Sequence, residues 1–338
     1  MSSQSNDTRI STGTSALGVI VCAMRAPVRS RRKALAVAAA FVVATATAAC
    51  TAGSSPETAP SPSESRPPTQ VATPTPSPSP SPTPSKTAAQ KVNANFQKFD
   101  PKDFGDPAGD QNSWYPLVPG TQSLRNGSLN RGSRKLTHQR RITVTDVTKV
   151  VNGVRTVLVL DQDLDAGQVG ETALDYVAQD KYGNVWYLGS YTEIYEGGQF
   201  VNAVDAWLAG KRGAKPGVLM LADPKAGMKY VEASTGRETI RAEVAKVGDR
   251  KCVPFECFKS LAILEDGSEF KYYGPGVGHI ATEPNYSGGE QEIEELVNVV
   301  KLKPQGLAEM SAEALKLDKR ASKEAKSVFG SSEPAQRP

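Results

Sequence analysis

The sequence predicts a mainly β fold: an antiparallel meander forming a curved sheet, half-barrel or barrel, followed by a C-terminal helical tail. Three observations carry this. β-Branched and polar residues alternate in short runs, as in residues 141–151. Turn signals such as Asn152-Gly153 and Asp266-Gly267 punctuate the runs at roughly ten-residue spacing. No long amphipathic helical pattern interrupts them before Leu307.

The elements follow in order. Residues 141–151 and 154–160 make a hairpin about Asn152-Gly153. Residues 171–179 turn through Asp180, Lys181, Tyr182, Gly183 and Asn184 into 185–189. Residues 191–195 turn at Glu196-Gly197-Gly198 into 199–208. After a Pro/Gly loop, strands are expected at 229–233, 238–247, 258–264, 269–273 and 278–282. Residues 292–302 form the last strand, although their Glu-rich start would also suit a helix. The Ala/Glu/Lys/Leu-rich segment 307–328 reads as a solvent-exposed helix, able to cover an open sheet edge or to fray. The expected domain is therefore 92–305, with a helical or disordered tail at 306–338.

Residues 1–91 differ in kind. A basic cluster (Arg25, Arg29, Arg31, Arg32, Lys33) meets an uncharged Ala/Val-rich run at 34–49, which stops at Cys50. This is the order of an export signal. Met24 offers a simpler start than Met1 and gives ordinary signal-peptide proportions; Cys22 would be lost with the preceding segment. Ser30-Arg31-Arg32-Lys33-Ala34-Leu35 resembles a twin-arginine signal, with Ala34 a poor match and a generic basic n-region the plainer reading. The apolar run falls short of the ~20 residues a spanning helix needs. Thr47-Ala48-Ala49-Cys50 resembles a bacterial lipobox, in which the Cys thiol takes a diacylglycerol and the chain is cut just before it. That places the mature protein on the outer face of the cell membrane through a lipid anchor. Ordinary cleavage after an A-x-A site (Ala44-Thr45-Ala46 or Ala46-Thr47-Ala48), giving a secreted protein, and an uncleaved anchor are the alternatives.

From Thr51 to Lys91, Pro alternates with Ser and Thr, as in Thr73-Pro74-Thr75-Pro76. Proline lacks the N–H a ladder requires, so this segment is expected to be a disordered linker of polyproline type. At about 3.1 Å per residue its reach is on the order of 100 Å.

A net charge of +4 over 338 residues, partly carried by the leader, gives no case for nucleic-acid binding. Downstream, basic and acidic residues alternate and read as solvated surface. Of the four cysteines, Cys252 and Cys257 remain after the leader and Cys50 are set aside. Outside the cytosol such neighbours tend to pair, and Pro254 allows the turn that a disulfide would need; two free thiols are the alternative. A metal site is not expected, because the spacing lacks a second pair and the chain has only His138 and His279 as nitrogen ligands.

Four stretches occur in order: Trp114-Tyr-Pro-Leu-Val-Pro-Gly120, Asp175-Tyr-Val-Ala-Gln-Asp-Lys-Tyr-Gly-Asn-Val-Trp-Tyr-Leu-Gly189, Lys215-Pro-Gly-Val-Leu-Met-Leu-Ala-Asp-Pro224 and Lys271-Tyr-Tyr-Gly-Pro-Gly-Val-Gly278. Together they resemble a family of uncharacterised bacterial secreted proteins and lipoproteins with a D-x-x-A-Q-D-x-x-G-N-V-W-Y-like hairpin motif. Val177 stands where the family has an aromatic, and Ser190 where an acid is common. The resemblance implies an all-β extracytoplasmic domain. The family has no established activity, so no catalytic residue is carried over.

The remaining chemistry is sparse. Asp161, Asp163 and Asp165 alternate like a calcium loop, but Ala166 and Thr172 stand where the EF-hand pattern needs Gly and Glu, so an acidic solvated strand end is expected. Trp186, Tyr187, Trp207 and Tyr273 are candidate ligand-surface aromatics, with core packing the alternative. His279 reads as a half-exposed strand histidine; no G-x-S-x-G, Walker or Rossmann pattern is present. The expected function is a non-catalytic envelope lipoprotein binding a lipid-like or wall-derived ligand, without cofactor. The alternatives are a structural or protein-interaction module of the envelope and an Asp/Glu-based hydrolase.

Overall fold

The computed structural model describes residues 98–107, 111–131, 133–287 and 291–337. The leader, Cys50 and the Pro-rich linker lie outside the described residues.

Among the described residues, thirteen strands follow a 3-10 turn at Pro101–Asp103. They are β1 (Thr121–Arg131), β2 (Arg134–Val151), β3 (Val154–Asp165), β4 (Gln168–Gln179), β5 (Val185–Glu196) and β6 (Gln199–Leu208). β7 (Gly217–Met220), β8 (Lys229–Ser234), β9 (Thr239–Cys252), β10 (Cys257–Glu265), β11 (Glu269–Gly274), β12 (Gly278–Pro284) and β13 (Gln291–Lys301) complete the sheet. Two helices close the chain, α1 (Pro304–Glu324) and α2 (Lys326–Phe329).

The strands form one antiparallel sheet in the order β6-β5-β4-β3-β2-β1-β13-β12-β11-β10-β9-β8, with β7 paired to β5 beside β6. The expected meander is therefore present as two runs, β1–β6 and β8–β13, joined where β1 pairs with β13 as well as with β2. The sheet curls until Lys215 N–H, just before β7, donates to Ser234 O of β8 at 2.9 Å. It stays open, because no ladder joins β6 to β8.

Local chemistry explains the hairpins. Asn152 (φ 49°) and Gly153 (φ 80°) both occupy the left-handed region, the type I′ requirement that matches the twist of β2 and β3. The strands expected at 185–189 and 191–195 are one continuous strand, β5. Gly189 lies within it, and a Cβ there would meet Leu208 Cδ2 at 2.6 Å; this glycine admits β6 rather than ending a strand. β1 and the short β7 were not expected, because β1 is largely polar, with only Leu124 and Leu129 apolar, and β7 sits within a Pro/Gly-rich segment.

The largest departure is the C-terminal helix. It exists, but it is not solvent-exposed. Ser311, Ala314, Leu317, Asp318 and Ala321 of α1 are buried, as are Val328 and Phe329 of α2. Phe329 lodges between the rings of Tyr176 and Tyr191, 5.8 and 5.7 Å away. The helices cover one face of β2–β5 and share the main core with Leu158, Leu160, Leu174 and Leu188. Full burial of such side chains contributes about 1.5–3 kcal/mol each, which ordinary helix propensity does not approach.

Candidate functional site

Register divides the central strands into two chemically different faces. Paired residues in an antiparallel ladder project to the same side. Lys149, Tyr176, Tyr191 and Glu193 face α1 and α2, where Lys149 Nζ reaches Asp318 at 2.8 Å and Arg320 reaches Glu193 at 2.6 Å. The opposite face carries a row of charges from β3, β2, β1, β13 and β11, with Thr282 of β12 between the last two. Arg140 pairs in register with Asp163, and Lys271 with Thr282. The row contains Asp161, Asp163 and Asp165 of β3, His138 and Arg140 of β2, Arg125 of β1, Glu292 and Glu294 of β13, and Glu269 and Lys271 of β11.

The acidic strand end expected at Asp161 and Asp163 is thus not solvated: both residues are 5% exposed. Arg140 binds the Asp161 carboxylate through Nε (3.0 Å to both oxygens) and Nη2. Its Nη1 lies 3.5 Å from Glu294 and 3.6 Å from Glu292. Arg125 Nε approaches Glu294 at 3.2 Å, and Arg125 Nη1 donates to His279 O. Thr282 Oγ1 donates to Glu294 Oε1 at 3.0 Å. Sequence alternation of acids and bases gave no sign of this burial, because each partner comes from a distant strand.

The electrostatics follow. Burial alone would raise the Glu294 carboxyl, but Arg125 and Arg140 outweigh it and hold the group well below the carboxylate range. Burial opposes a charge on His138, yet the neighbouring Asp165 and Glu292 carboxylates carry it up to about 10. His279 goes the other way, pushed well down by burial and by Arg125. Glu269 rises to about 7, chiefly through burial, against the pull of Lys271.

The family-like stretches meet elsewhere, in one knot of hydrogen bonds. Asp180 Oδ1 accepts the N–H groups of Tyr182 and Asn184, each at 2.9 Å. Its Oδ2 accepts Asn184 Nδ2 and Trp186 Nε1. Asn184 Oδ1 in turn accepts Ala222 N–H. Asn112 Nδ2 donates to Gly183 O and Leu221 O, while its Oδ1 accepts Trp114 N–H and Tyr115 N–H. Gly276 N–H donates to Ser113 O, which ties in the fourth stretch. These residues hold four chain segments together, a structural reason for their occurring together.

The candidate aromatics are all buried. Trp186 packs on Phe99 and Phe104. Tyr187 donates to Asp175 Oδ1 at 2.5 Å and meets Trp207 edge-on at 5.1 Å. Tyr273, 5% exposed, lies 5.3 Å from the His279 ring. Trp186 and Tyr187 point to opposite sides, as alternation requires. Cys252 and Cys257 are joined by a disulfide across the β9–β10 turn. Among the described residues no helix is long and apolar enough to cross a membrane.

No family model and no curated protein matches the chain. Three solved structures are similar at low level. An exported-type protein of YmcC-like fold from Bacteroides fragilis has TM-score 0.33 and 12% identity, over 56% of this chain and all of that one. A lipoprotein-type chain from Parabacteroides distasonis has TM-score 0.31 and 13% identity over 56% and 100%. A β-barrel-like domain of unknown function from Brucella abortus has TM-score 0.31 and 11% identity over 54% and 98%. A likeness this distant assigns no function. The class is defined by the chain itself: an open antiparallel β meander, helix-covered on one face and charge-lined on the other.

Proposed function

We propose that this is an exported envelope lipoprotein, acylated at Cys50 and held off the membrane by the linker at 51–91, whose β domain binds a wall-derived ligand without catalysis. The observation that carries this reading is the order of basic cluster, apolar run, Cys50 and Pro-rich spacer. The Cys252–Cys257 disulfide supports an oxidising compartment. A groove of about 470 Å³ over β8, β9 and the β10–β11 turn is lined by Lys229, Arg241, Glu243 and Asp266 together with Tyr230, Val231, Ala242 and Leu264, charged and apolar groups side by side that suit an amphipathic ligand. The Asp/Glu hydrolase reading has less support, because Asp161 and Glu294 are cross-linked by guanidinium groups rather than poised across an open groove.

The interaction-module reading draws on β6, which among the described residues pairs only with β5 and exposes Phe200 (42%) and Val201 (46%) at the sheet edge.

The test is native mass spectrometry of the full-length protein purified in detergent from its own host, with a Cys50→Ala variant. An acyl mass increment lost in the variant, with a co-purified wall fragment, is the expected result. An unacylated mass from the cell interior would sink the localisation, and a clean ligand-free mass would remove the binding role.

A further inference from the structure

Within the charged row lies a cluster of donor atoms with the spacing of a cation site. His138, Glu292 and Glu294 each bring one donor atom within 4.8 Å of the others. From His138 Nε2, Glu292 Oε1 lies at 3.4 Å, and Glu294 Oε2 and Asp163 Oδ1 each at 4.0 Å. These separations are long for hydrogen bonds. The Glu292 separation equals the edge of a tetrahedron with metal–ligand arms of ~2.1 Å, about 3.4 Å, and the other two donors stand a few tenths of an ångström further out.

Independent features point to a ligand there. The Nδ1 atom of His138 is held at 2.9 Å from Asp165 Oδ1, which leaves Nε2 turned into the cluster. Metal-ligating imidazoles are oriented by this carboxylate arrangement. His138 Nε2 and Glu294 Oε2 have no hydrogen-bond partner among the described residues, although both side chains are 0% exposed. Polar atoms orphaned at such depth call for an explanation.

Register supplies the space. His138 pairs with Gly127, and Gly127 pairs with Glu294. A Cβ at position 127 would fall 2.7 Å from Glu294 Cα, so only glycine lets β13 bring Glu294 this close to β1 and β2. It would also fall 1.8 Å from Ile293 O, so this glycine serves the close strand approach. Finally, the carboxylates of Asp161, Asp163, Asp165, Glu292 and Glu294 outnumber the guanidiniums of Arg125 and Arg140 around this point.

We propose that His138, Glu292 and Glu294, with Asp163 in reach as a fourth donor, bind a first-row divalent transition metal. The metal takes the place of the imidazole proton: Nε2–H releases H⁺ to solvent, and its electron pair goes to the ion. One imidazole among carboxylates suits Zn²⁺ or Mn²⁺ better than Ca²⁺ or Mg²⁺, which prefer oxygen alone. The competing arrangement is a metal-free imidazolium shared between Asp165 and Glu292.

The test uses untagged full-length protein, stripped with chelator and titrated with Zn²⁺ by calorimetry in two buffers of different ionisation enthalpy. One Zn²⁺ per chain with proton release is expected. His138→Gln and Glu292→Gln should each weaken binding by roughly a hundredfold while far-UV circular dichroism is retained. Glu292 is 11% exposed at its side chain, so its variant keeps the question open to test if the His138 variant misfolds. Absence of stoichiometric Zn²⁺ on the wild-type chain, or affinity unchanged in Glu292→Gln, overturns the proposal.

Discussion

Lys149 Nζ donates to Asp318 Oδ1 across 2.8 Å, with the two side chains 0% and 4% exposed. One residue belongs to β2 and the other to α1, 169 positions apart. Asp318 also accepts from Tyr176 Oη and from Ala335 N–H, so a single carboxylate binds the helix to two strands and to the chain end.

Removing one partner of this pair leaves a buried charge unmatched. Lys149→Met is expected to cost about 3–5 kcal/mol. Combining Lys149→Met with Asp318→Leu should recover part of that loss, since the charge goes too. Urea unfolding of both variants checks it; additive losses would show that the two residues are not coupled.

Phe329→Ala should destabilise the whole domain by about 3–5 kcal/mol, because the ring fills a site between Tyr176 and Tyr191. The melting temperature should fall by on the order of 10 °C. A melting curve unchanged within error would mean that the helices merely lie on the sheet.

Glu193 accepts from Tyr191, Tyr195 and Arg320. Burial alone would raise its carboxyl, but these hydrogen bonds win and hold it below its ordinary value of 4.5. A depressed folded-state pKa means that the stabilisation is present above pH 4.5 and is lost as pH falls through the folded value. Thermal melts from pH 6 to pH 3 should therefore decline more steeply for the wild type than for Glu193→Gln. Parallel curves would refute the assignment.

Asp180→Ala should strip four donors of their acceptor and loosen the turn that joins β4 and β5. A loss of about 2–4 kcal/mol and a red-shifted Trp emission are expected, since the freed Trp186 Nε1 must find water. Faster amide exchange at Tyr182 and Asn184 would report the same event. A stable variant with an unchanged spectrum would show that this motif is not structural.

What the sequence determined by itself was local. Alternation with period two, Asn-Gly and Asp-Gly turns and the absence of early helical periodicity made the β meander legible, because backbone twist and side-chain alternation are settled within a few residues. The tail helix was legible as a helix for the same reason. Its burial was not: Leu317, Asp318 and Phe329 acquire their roles only against Lys149, Tyr176 and Tyr191. Tertiary structure alone decided the charged row. His138 and Glu294 are neighbours because β1 pairs with β13, a contact between strands far apart in the chain, and because glycine stands between them in that ladder. Such a register is chosen by which faces can be buried together over the whole sheet, and no short window of residues contains that information.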